Sequence, residues 1–99
     1  MSEIDAVIAV GTNLQDAYKK AVMQARFEGM ADGAYDEDSV AFTNGVERCP
    51  KGQAAFNAGG MECLNVFLLD SAVNLCKIDG PARGVAIDSQ RFLMYFMVG

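Results

Sequence analysis

Three cysteines, Cys49, Cys63 and Cys76, and a run of carboxylates are the side chains of this 99-residue sequence with the most chemistry to offer. A thiol nucleophile needs a base to take its proton, and the sequence holds no histidine. The imidazole that supports most Ser, Cys and zinc chemistry near neutral pH is therefore missing. With 13 and 12 residues between them, the cysteines do not form the closely spaced pairs of a zinc knuckle. An odd cysteine count without a basic leader segment points to reduced thiols in a cytoplasmic setting. Cys63 and Cys76 stand among Leu, Val and Phe and read as small buried hydrophobes. Glu28, Asp32, Asp36, Glu37 and Asp38 follow one another with no intervening Lys or Arg, at a spacing that is not that of an EF-hand loop. They read as a negative surface for solvent or a partner. Gly11, Gly59 and Gly60 make neither a GxGxxG turn nor a P-loop. The expectation is a non-enzyme with no catalytic residue, no cofactor and no metal.

The elements that would position these residues read as mainly α. Apolar or small residues at 4, 7, 8, 11, 14, 18, 21, 22, 25 and 29 recur at three- and four-residue intervals, the period of one helix face. A long N-terminal helix with a kink at Gly11 is expected, the alternative being a break there that leaves 4–10 as a short helix or a strand. Thr12 with Gln15 supplies a capping signal there. Gly, Asp, Asn and Pro from 33 to 52 predict an ordered loop, with a brief extended piece at 39–43. A largely buried second helix is expected from about Gln53 to Lys77, ended by Asp79-Gly80-Pro81. After Asp88-Ser89, the run Phe92-Leu93-Met94-Tyr95-Phe96-Met97-Val98 predicts a C-terminal helix more readily than a strand. Seven consecutive apolar residues cannot all face one small core, so Phe92, Leu93, Tyr95 and Phe96 are expected at a contact between copies. The whole chain reads as one domain.

Glycine inside a helix is tolerated mainly for close packing. Gly29-Met30-Ala31-Asp32-Gly33, Cys49-Pro50 and Phe56-Asn57-Ala58-Gly59-Gly60 together resemble the ribosome modulation factor family over residues 26–63. That family pairs a Gly-aromatic-x-x-Gly helix with a Cys-Pro loop and a Trp-x-x-Gly-Trp helix. The resemblance implies a helix-loop-helix hairpin in which Gly29, Gly33 and Gly59 pack and Cys49-Pro50 shape the loop. It also implies a ribosome-associated hibernation or translation-modulating role, resting on Lys19, Lys20, Arg26, Arg48 and Lys51. The chain departs from the family where its aromatics become Met30, Phe56 and Gly60, and in being acidic where the family is basic.

Composition limits the function classes further. Thirteen Asp and Glu against eight Lys and Arg give a net charge of -5, which disfavours direct DNA binding and acidic membrane surfaces. No apolar run nears the roughly 20 residues that span a bilayer. The chain therefore reads as an acidic protein-interaction factor of the kind phages and mobile elements encode. It would inhibit or modulate a host machine by occupying its surface, its partner a protein or ribonucleoprotein. Glu28, Asp32, Asp36, Glu37 and Asp38 would make the contact, with Arg48 and Lys51 reaching a phosphate or carboxylate. The alternatives are the ribosomal factor and a self-assembling virion-type or ligand-sequestering homo-oligomer.

Overall fold

The computed structural model describes residues 3–31, 43–70 and 80–98. Its first element is a strand, β1 (Glu3–Val10). Val7, Ile8 and Val10 are β-branched and suit a pleated surface better than a helix. Gly11 closes the strand by donating its N–H to Gln90. Helix α1 (Leu14–Ala31) follows, with Asn13 as its N-cap: Asn13 Oδ1 accepts from Asp16 N–H at 2.9 Å. Asp16 also accepts from Thr12 N–H at 3.0 Å and pairs with Lys20 at 3.1 Å. These contacts hold its carboxyl below the usual value, the Thr12 N–H first among the causes.

The remaining elements are β2 (Val46–Arg48), α2 (Pro50–Asp70), β3 (Ala82–Ala86) and β4 (Arg91–Val98). The sheet order is β1-β4-β3-β2. β4 runs antiparallel to both β1 and β3, while β3 and β2 are parallel. The crossover through α1 steps one way across the sheet and that through α2 steps back. Two right-handed crossovers of opposite direction place their helices on opposite faces, and the core divides accordingly. Leu14, Ala17 and Ala21 of α1 pack with Val46, Ala82, Phe92, Met94 and Phe96 on one face. On the other, Leu64, Phe56 and Phe67 of α2 pack with Val85, Leu93 and Tyr95. Each large side chain removed from water contributes roughly 1.5–3 kcal/mol. Tyr95, Leu64, Met94 and Val85 are the largest that are wholly enclosed.

This architecture corrects the mainly α hairpin: two helices flank a four-stranded mixed sheet. The expected N-terminal helix is a strand before Gly11 and a helix after Asn13. The expected loop contains β2, and α2 begins at Pro50, three residues early. The C-terminal segment is strand, paired on both sides, and β3 is an element the sequence reading missed. Phe92, Leu93, Tyr95 and Phe96 are between 0% and 7% exposed within the single chain. Their run satisfies two cores at once, because alternate residues of a central strand enter opposite layers. They are thus core residues and not a surface offered to a second copy.

The glycine pair in α2 also has a different role. Gly60 has φ 71° and ψ -152°, a region open essentially to glycine, and α2 bends there. Gly59-Gly60 therefore divides the helix into two segments on one sheet face and is not a groove for a hairpin partner. Residues 71–79, with the expected end of that helix, lie outside the described residues, as do Gly33 and Cys76.

Candidate functional site

In open α/β sheets the strand ends that feed helices form a crevice where ligands commonly bind. Here β2 and β3 end beside the N-termini of both helices, and a cavity of about 210 Å³ lies between Leu14, Arg48, Cys49, Gln53, Ala86 and Phe92. Gln53 clamps one wall, its Oε1 accepting from Ala86 N–H at 2.8 Å and its Nε2 donating to Ala86 O at 3.0 Å. Cys49 is 4% exposed and caps α2, its Sγ accepting from Gly52 N–H at 3.4 Å. Pro50 has no N–H to give, and the Gln53 N–H is taken by Cys49 O. The donors that would make this helix end an anion site are thus largely spent on the chain itself. Arg48 and Lys51 are exposed on either side of Cys49-Pro50, Lys51 beside Arg83, and Arg83 is engaged by Glu47 at 2.8 Å. Among the described residues no group of His, Cys, Asp and Glu is placed to hold a metal ion.

The two sheet edges differ. β2 is three residues long and flanked by the Glu47–Arg83 ion pair. β1 is eight residues long and carries no Lys, Arg or Pro, residues that commonly guard an edge. Because Gly11 N–H points at Gln90 of the β4 side, the alternation of a strand directs the backbone groups of residues 5, 7 and 9 toward β4. Those of Ile4, Ala6, Ile8 and Val10 point outward. Ala6 N–H shows the consequence: it donates to Asp5 Oδ1 at 2.8 Å. The same even residues direct their side chains to the α2 face, where Ile8 is 50% and Val10 56% exposed. On the α1 face a groove runs between Val7–Val10 and Lys20, Gln24 and Glu28 of α1.

Of the sequence-derived site residues, Glu28 is exposed on α1 beside this groove and accepts from Gln24 Nε2 at 3.3 Å. Asp32, Asp36, Glu37 and Asp38 lie outside the described residues. Arg48 lines the strand-end cavity and Lys51 a neighbouring hollow with Arg83, while Glu28 lines neither. Cys63 is exposed and Cys49 buried, the reverse of the expectation for Cys63. The β1 edge escaped the sequence reading because a three- and four-residue spacing carries on across Gly11. The signal that marks it is the β-branched run Val7-Ile8-Ala9-Val10 closed by Gly11-Thr12-Asn13.

Among the described residues no helix is long and apolar enough to cross a membrane. No family model matches the chain, and comparison with curated proteins and with solved structures returns no match.

Proposed function

We propose that this chain is a protein-interaction module that receives an extended polypeptide segment along β1 and acts by occupation, without turnover. The observation that carries this reading is the eight-residue β1 edge, with outward backbone groups at Ile4, Ile8 and Val10 and two half-exposed β-branched side chains. Backbone pairing along such an edge gives affinity, and pockets for alternate side chains give selectivity. The preferred segment alternates apolar and polar residues, so that its apolar side covers Ile8 and Val10. Basic flanking residues would suit a net charge of -5 by raising the association rate.

A display library of extended decapeptides tests this. Clones that enrich on the native chain and not on Ile8→Pro are expected, because proline at an outward position removes a donor from the edge and leaves the β1–β4 ladder intact. Enrichment indifferent to Ile8→Pro, or none at all, overturns the reading.

A further inference from the structure

We infer that the resting occupant of the β1 edge is β1 of a second copy, paired antiparallel about a twofold axis at Val7, an inference that rests on the β1-edge reading and names its occupant. Charge selects the orientation. The acidic residues of β1, Glu3 and Asp5, stand at one end, and Val7–Val10 is neutral. Parallel pairing in register would set Asp5 against Asp5, which is destabilising. Antiparallel pairing at Val7 sets Asp5 of the copy against Ala9. Residues 5, 7 and 9 share the α1 face, so that Asp5 arrives on the side where Lys20 lines the groove with Val7–Val10. Lys20 is an exposed cation whose ion-pair partner in the separate chain is Asp16, one turn back on α1.

The same register uses the outward backbone groups. Ile4 faces Val10 of the copy and Ala6 faces Ile8, so the groups left open by β4 meet those of an identical strand. On the α2 face, Ile8 and Val10 are covered by Ala6 and Ile4 of the copy. A slip of two residues to an axis at Ile8 would push Asp5 past the strand, against Gly11, and shorten the ladder. In the separate chain the Asp5 carboxylate holds Ala6 N–H at 2.8 Å and thereby guards the edge. On pairing, Ala6 N–H passes to the carbonyl of Ile8 of the copy, and the carboxylate turns to Lys20 of the copy. Asp5 is thus a guard in one state and a contact in the other, and a partner segment competes with the second copy for the same edge.

Sedimentation velocity over a concentration series tests this on the intact chain. The native protein is expected to reach dimer mass with rising concentration, and Ile8→Pro to stay monomeric with an unchanged far-ultraviolet spectrum. Asp5→Lys alone and Lys20→Asp alone are each expected to weaken the dimer about 2- to 30-fold, since two symmetric exposed ion pairs are lost. The two substitutions together restore the pair in reversed sense and recover the native constant. This charge swap keeps the proposal testable even where Ile8→Pro does not fold. A native chain monomeric throughout, dimer mass retained by a folded Ile8→Pro, or a swap that restores nothing overturns self-pairing. If the chain is monomeric while peptides still bind in an Ile8-dependent manner, self-pairing alone is wrong. If neither is seen, the edge reading falls with it.

Discussion

Two glycines bring α1 onto the sheet, and they are not equally replaceable. A Cβ at Gly11 would lie 2.5 Å from Ala17 N and 2.8 Å from Ala17 Cα, helix backbone that cannot step aside, whereas one at Gly84 would meet the side chain of Leu14. Overpacking a core costs typically 1–3 kcal/mol. Gly84→Ala is therefore expected to lose about 1–3 kcal/mol in urea unfolding, and Gly11→Ala more. Adding Leu14→Ala to Gly84→Ala should cost less than the two single changes summed, because they share one space. An additive double variant would show that the contact is not the cause. Residue identity told part of this in advance. Cys49-Pro50, expected from the resemblance only to shape a loop, instead opens α2 as Ncap and N1. Cys63 was misread because its apolar sequence neighbours do not share its helix face. Leu64, one position on, is fully buried while Cys63 faces solvent.

At the scale of elements, the β3–β4 hairpin is closed by one carboxylate. Asp88 Oδ1 accepts from Gln90 N–H at 2.9 Å and Arg91 N–H at 2.8 Å, and Oδ2 accepts from Arg91 Nε at 2.6 Å. The Gln90 N–H, then the Arg91 side chain and N–H, draw its pKa from 3.8 down to about 2. Since the folded value lies below the unfolded one, the charged carboxylate stabilises the hairpin above about pH 4, and that contribution fades as pH falls toward 2. Asp88→Asn is expected to melt below the native protein at pH 5 and to converge with it near pH 2. Parallel melting curves across that range would refute the assignment. The α1 segment was legible as a helix from its period, and α2 was expected as a helix from Gln53, three residues after it begins. β1 and β4 were not legible, because β1 keeps a helix-like spacing across Gly11 and β4 lacks the alternation that betrays a half-buried strand. A strand covered on both faces reads as a plain apolar run, and the layer that covers it is set by long-range packing.

For the molecule as a whole, β4 is the seam. It pairs with β1 from Glu3↔Val98 to Val10↔Arg91 and with β3 from Arg83↔Tyr95 to Ala86↔Phe92, and its side chains fill both cores. Removing residues 92–98 is therefore expected to abolish folding, read as loss of the cooperative thermal transition. A truncated chain that still melts cooperatively would show that the two helix layers are independent. Nothing local in the sequence announces this seam, since it joins positions almost the length of the chain apart.

Such a seam also orders events during synthesis. β1 leaves the ribosome long before β4, which among the described strands is its one neighbour in the sheet, so an apolar strand must wait unpaired while α1, β2, α2 and β3 are made. Completion of the fold thus waits on β4, its rate set by the closure of a distant pairing. In that interval the nascent chain is most exposed to chaperones and to aggregation.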